Sequence, residues 1–245
     1  MIQVDLGAEQ TPFARRVTLH LSGGDPLDAK RLQHETMAAL AEQPRSLMCD
    51  LSPVGAVSAE LVESLRSVAR YQQDWPGTAI GVACVDARLR SRLFRGLQPR
   101  RLVVGPSVET VEAMLAALPP AEHATVTLEP GLTAPRSARA FVARACLRWH
   151  ARSVTGHACL VASELVTNAV LHADTAVTLT ISKFSGRLRI AVRDGDPVSP
   201  APGEQPDIKG SGRGLLLVSS VCRAWGVQPT SDSGKVVWAV LDTST

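Results

Sequence analysis

Residues 164–173, ELVTNAVLHA, decide how the second half of this 245-residue chain is read. At about 100° per residue, Val161, Ala162, Leu165, Val166, Ala169, Val170 and Ala173 fall on one broad stripe of an amphipathic helix, which is expected to lie on a sheet. Glu164, Asn168 and His172, spaced by fours, stack along the opposite side with Leu160 and Leu171 close by. A solvated face is the ordinary explanation for polar residues so placed. Against it, residues 153–173 hold no lysine or arginine, and the outer face includes leucines. A carboxylate and an amide one turn apart suit a metal–nucleotide site. A hard cation such as Mg²⁺ takes oxygen ligands and leaves much of its shell to phosphate and water, so one amide oxygen can be enough. The carboxylate is then free to act as a general base.

Outward from that helix, residues 135–150 read as a second helix, and 176–184, 187–193 and 236–241 as strands. Phe184-Ser185-Gly186-Arg187 supplies a hairpin turn between the first two. The second half is therefore α+β, helices grouped before a mainly antiparallel sheet. The strand RLRIAVRD turns Leu188, Ile190 and Val192 inward and delivers Asp194 to a turn with Gly195. Asp-Gly alone is an ordinary turn dipeptide. Beside an adenine, Asp194 would accept from the exocyclic amine, with Gly195 allowing close backbone approach. Further on, KGSGRGLLLVSSV (209–221) sets Gly210, Gly212 and Gly214 ahead of an apolar helical run, leaving N–H groups open to phosphate at a helix start. The loop is neither a Walker A sequence nor a GxGxxG after a strand.

The first half alternates strands (17–21, 46–51, 78–84, 101–104) with helices (27–42, 59–73, 87–93, 108–118), an α/β layout. Pro119-Pro120 and Pro130-Gly131 interrupt the pattern after the last of these helices, so the expected domains are 1–118 and 131–245 with a linker at 119–130. The 26 basic and 23 acidic residues leave a formal charge of +3, no argument for nucleic acid or a membrane surface. No leader-like start and no run near ~18 apolar residues is present, so a cytoplasmic protein is expected. Cys49, Cys84, Cys146, Cys159 and Cys222 lie scattered in apolar runs, which predicts reduced structural thiols and no zinc. Arg88, Arg90, Arg92, Arg95, Arg100 and Arg101 form a basic run that is either a solvated helix face or a docking surface for an acidic partner.

Four boxes in order across some 80 residues, ELVTNAVLHA, RDGD, GSGRGLLLV and GKVVWAVL, give residues 130–245 a close resemblance to the histidine-kinase-like ATPase family (the GHKL or Bergerat fold). Within it they are most similar to the anti-sigma-factor serine kinase branch common in actinobacteria. The resemblance implies ATP and Mg²⁺ as cofactors, Glu164 as catalytic base and Asn168 as Mg²⁺ ligand. It implies Asp194, with Gly195, at the adenine, and Gly210, Gly212, Arg213, Gly214 and Leu215 around the phosphates. His172 would lie near the nucleotide, or cap helix-end carbonyls. Residues 197–209 would be the mobile lid, or simply a loop. Two departures stand out. The first glycine box, usually DxGxG, continues here with Asp196 and Pro197, and Val236 stands where the family often has Thr, removing a hydroxyl expected at the purine end.

Residues 1–118 are similar to a STAS domain, the fold of anti-sigma-factor antagonists, through SLMCDLSPVGAVSAELVESL. In that family a strand ending Asp-Leu-Ser is followed by a helix start written D-S-x-G that carries the phosphorylated serine or threonine. Without gaps, Ser58 falls on the family's aspartate and Glu60 on the acceptor, so the acceptor is replaced; a one-residue gap would put Ser58 there instead. Ser58 as N-cap and Glu60 in the first turn also make ordinary helix-start chemistry. The resemblances together imply a protein serine/threonine kinase acting on a separate STAS antagonist and sequestering a sigma factor, often as a homodimer. The other reading is a non-catalytic, nucleotide-binding adaptor. ATP hydrolysis with conformational cycling would need a transducer segment that this chain lacks.

Overall fold

The structure, a computed structural model, describes residues 2–6, 16–21, 26–41, 43–53, 59–71, 77–94, 101–172, 175–196, 212–230 and 233–243. The chain divides into two units, Met1–Pro120 and Ala121–Thr245.

In the first unit the runs SLMCD, AIGVA and LVVG lack polar alternation, the mark of strands covered on both faces. They form β3 (Ser46–Asp50), β4 (Ala79–Ala83) and β5 (Leu102–Gly105), buried throughout. With β1 (Ile2–Leu6) and β2 (Arg16–Leu21), the described strands make one sheet in the order β1-β2-β3-β4-β5. β2 to β5 run parallel, and β1 pairs antiparallel with β2, Ile2 opposite Leu21.

The helices are α1 (Pro26–Ala41), α2 (Ala59–Tyr71), α3 (Ala87–Phe94) and α4 (Val108–Ala117). Right-handed crossovers between strands added in one direction keep α1, α2 and α3 on one face, with α2 packed beside both neighbours. On the other face Val111 and Leu115 of α4 join Met48, Ala79, Ala83 and Val103. A Cβ at Gly81 would strike Val111 and Leu115, so that glycine lets α4 settle close to the sheet. The expected α/β order holds, but β1 was not anticipated, being a five-residue edge strand isolated near the N-terminus.

The arginine run divides, part of it a solvated helix face and part of it engaged with backbone carbonyls. Arg101 is buried, donating from Nη1 to the Pro119 carbonyl at 2.7 Å. Arg90 donates to the carbonyls of Cys84 and Val85, both at 2.7 Å, and so closes the end of β4. Only Arg88 and Arg92 of the described members are exposed; Arg95 and Arg100 lie outside the described residues.

The second unit is built on β6 (Glu122–Leu128), β7 (Val177–Phe184), β8 (Arg187–Asp194), β9 (Ala224–Pro229) and β10 (Lys235–Asp242), in the order β6-β7-β8-β10-β9. Every pairing among them is antiparallel. The helices are α5 (Ala134–Arg148), α6 (Thr155–His172) and α7 (Gly212–Val221). The expected stripe of α6 is the core: Ala158, Val161, Ala162, Leu165, Val166 and Ala169 are buried against Leu179, Ile181, Leu188, Ile190 and Val192. The segment Arg152–Leu171 is long and apolar enough by composition to cross a membrane, and this packing explains its apolarity instead.

The grouping of helices before the sheet is corrected. β6 precedes α5, and α7 sits between β8 and β9. The linker expected at 119–130 is corrected as well, because residues 122–128 form β6, paired with β7 from Glu122↔Lys183 to Leu128↔Val177. The prolines on either side made it look like a connector, yet Ala124, Val126 and Leu128 alternate inward from an edge strand.

The five cysteines are free thiols. Burial pushes Cys49 and Cys222 up to about 12 and Cys146 to about 11, which keeps them protonated and poor nucleophiles.

Candidate functional site

Two clusters on the helix-covered side of the second sheet gather most of the residues singled out by sequence. The first joins α6 to the start of α7. Glu164 and Asn168 are half-buried, one turn apart on the flank of α6 away from the core stripe, while Leu171 beyond them is 73% exposed. Gly214 lies in the first turn of α7, and a Cβ placed on it would collide with Oε2 of Glu164. A side chain there would have to push the flexible end of Glu164 aside. Open N–H groups and the helix dipole favour an anion at this end of α7, beside the Glu164 carboxylate.

The second cluster is at the end of β8. Strand alternation turns Asp194 to the same side as Leu188, Ile190 and Val192, and Lys235 to the same side as Val237, Ala239 and Leu241. The two are direct register partners. Lys235 Nζ lies 3.1 Å from Asp194 Oδ1 and 2.8 Å from Asp196 Oδ2, and the Asp194 side chain is 1% exposed. The Asp196 N–H also donates to Asp194 Oδ1, at 3.1 Å. Burial pushes the Asp194 carboxyl above its ordinary range, opposed by the hydrogen bond and charge of Lys235. Gly234 is required here, since a Cβ would strike the Asp194 carbonyl. The Gly195 N–H donates to Thr175 Oγ1 at 3.2 Å, which ties the turn down.

The structure thus brings Glu164 to Gly214, and Asp194 to Lys235 and Asp196. Gly212 and Arg213 lie in the first turn of α7. Leu215 is buried in the core, so it anchors α7 and has only backbone to offer a ligand. Gly210, the 197–209 segment and Ser58 lie outside the described residues, as does the side chain of His172. Glu60 is exposed in the first turn of α2. Val236 alternates away from Asp194 onto the other face of the sheet, so the missing hydroxyl does not sit at the Asp194 end of the site as expected.

Lys235, Asp196, Gly234 and Thr175 were not picked out from sequence. The signal available for Gly234 and Lys235 was the SGK ahead of the last strand. Among the described residues no group of three or more His, Cys, Asp or Glu side chains could hold a metal ion alone. A nucleotide-borne Mg²⁺ asks for less, and the half-buried amide of Asn168 can supply one oxygen.

Residues 128–241, within the second unit, match the family model described as histidine kinase-like ATPase domain. The family binds ATP, usually with Mg²⁺, and its members are kinases or ATPases. The residues present fit that ligand: Gly214 beside Glu164 at a helix start, and a buried carboxylate at Asp194. A search of curated proteins finds no match to the chain.

Proposed function

We propose that this protein is a cytoplasmic, ATP-dependent protein serine/threonine kinase of the anti-sigma type. Its substrate is a STAS-domain antagonist, and its second partner is a sigma factor that the same domain sequesters, as a homodimer. The observation that carries the reading is Glu164 held against Gly214 at the start of α7, inside a histidine kinase-like ATPase domain. In it, Asn168 holds Mg²⁺, Asp194 reads the adenine, and ATP supplies the γ-phosphoryl group. Glu164 takes the proton from the acceptor hydroxyl, and transfer is aided mainly by positioning and charge stabilisation. The first unit, with four parallel strands and an antiparallel edge, is read as a degenerate STAS module whose Glu60 imitates a phosphorylated residue.

Incubating the protein with γ-labelled ATP and a panel of STAS proteins tests this. Label on a serine or threonine of one STAS partner, lost in Glu164→Gln, is expected. Label on Ser58 of the protein itself would sink the reading of Glu60. ATP binding without transfer to any partner would favour the second reading, a nucleotide-binding adaptor, which the departure from DxGxG at Asp196 and Pro197 keeps in view.

A further inference from the structure

Asp194 shares its place on the sheet with a cation. Lys235 is its register partner on β10, and alternation turns both side chains to the helix-covered side. Gly234 lets the two strands close at this point, since a Cβ there would strike the Asp194 carbonyl. Both donors that the described residues direct at the Asp194 carboxylate fall on one oxygen: Lys235 Nζ lies 3.1 Å from Oδ1, and the Asp196 N–H donates to Oδ1 at 3.1 Å. The carboxylate of Asp196 holds the same ammonium, with Nζ 2.8 Å from its Oδ2. The grip on Oδ1 leaves Oδ2 of Asp194 to a ligand.

We propose that Lys235 is a positioning residue: clamped between Asp194 and Asp196, it keeps Asp194 ionised and turned so that Oδ2 is presented to an N–H donor of the bound nucleotide. The inference rests on the assignment of Asp194 to that nucleotide. A buried carboxylate without a counter-charge takes up a proton, and a protonated carboxyl offers an O–H where the ligand's donor needs a lone pair. Burial pushes the Asp194 carboxyl up, and Lys235 opposes that push by hydrogen bond and by charge. The other charged group acting on Asp194 among the described residues is Asp196, whose carboxylate raises it while its N–H lowers it. Without Lys235, two carboxylates would face each other with no cation between them, and burial and repulsion would both favour protonation. Asp194 would then be ionised only at higher pH, so affinity would be lost as pH falls.

Calorimetric titration of Mg-ATP into the full-length wild type and Lys235→Met, which keeps the apolar stem, at about pH 8 and about pH 6 tests this. The ratio of variant to wild-type Kd cancels the titration of the nucleotide and of groups common to both proteins. That ratio should grow by ~10-fold or more from the higher pH to the lower, tenfold corresponding to about one unit of pKa. A ratio that is the same at both pH values overturns the inference, since the lysine would then support the fold or touch the ligand without governing Asp194. Carboxyl ¹³C NMR of the wild type decides even if Lys235→Met does not fold, with the Asp194 signal identified by its absence from Asp194→Ala. Asp194 should stay ionised throughout that window, and protonation within it overturns the inference. Failure of the wild type to bind Mg-ATP, or unchanged affinity in Asp194→Ala, defeats instead the nucleotide-site reading beneath it.

Discussion

Two pairs of glycines, one pair in each unit, make different kinds of close approach. In the first, Gly81 and Gly105 give up their Cβ positions to Val111, Leu115 and Thr110, and the gain is tight packing of α4 on a sheet buried on both faces. In the second, Gly214 and Gly234 give theirs up to a carboxylate oxygen and a backbone carbonyl. A close approach between apolar groups contributes stability, while one that presses helix or strand backbone against Glu164 and Asp194 sets the placement of polar groups, which on the proposed reading face a ligand. On the proposed reading the parallel sheet is scaffold, and the antiparallel one holds the nucleotide site on its helix-covered side.

That contrast can be broken in several ways. The largest effect is expected from Glu164→Gln, which should lower phosphoryl transfer by about 10²–10⁴-fold, the usual range for loss of a general base, while Mg-ATP binding is held. Loss of binding and transfer together would mean that Glu164 supports the fold instead.

Gly214→Ala comes next. Its new methyl meets the flexible end of Glu164 and should cost transfer ~10²-fold by misplacing that carboxylate, with the thermal midpoint nearly unchanged. Gly81→Ala should do the reverse, lowering stability by about 1–3 kcal/mol through overpacking against Val111 and Leu115, with nucleotide affinity intact. Thermal melts paired with nucleotide titrations on both variants would show whether the two kinds of glycine separate.

The smallest effect concerns β6, now part of the second sheet. Burial lowers the His123 pKa from 6.5 to about 3, so folding keeps this imidazole neutral. The unfolded chain binds an extra proton between those values. Stability from this source is therefore complete above about pH 6.5 and is lost as pH falls towards 3. Denaturant melts across that window should show a shallower acid loss in His123→Gln.

How much of the molecule was legible in the sequence depends on the range of each signal. The α6 stripe was legible because its 3.6-residue period is local, and Glu164 and Asn168 follow from the same period. The edge strands β6 and β9 were not, since one lies between two proline-marked turns and the other, AWGVQP, contains both Gly226 and Pro229. Lys235 was missed because its partnership with Asp194 depends on register between strands separated by α7 and β9. Val236 was misjudged for the same reason, a one-residue offset along a strand being enough to change face. The closeness of Gly214 to Glu164 is likewise a fact of packing between α6 and α7, beyond the reach of spacing along the chain.

The most direct test of the central claim is calorimetric titration of Mg-ATP into the full-length protein and into Asn168→Ala. Saturable binding by the wild type, weakened in Asn168→Ala with Mg²⁺ present and equalised when EDTA removes the metal, is the predicted result. No saturable binding by the wild type, or an Asn168→Ala defect that persists unchanged without Mg²⁺, would contradict it.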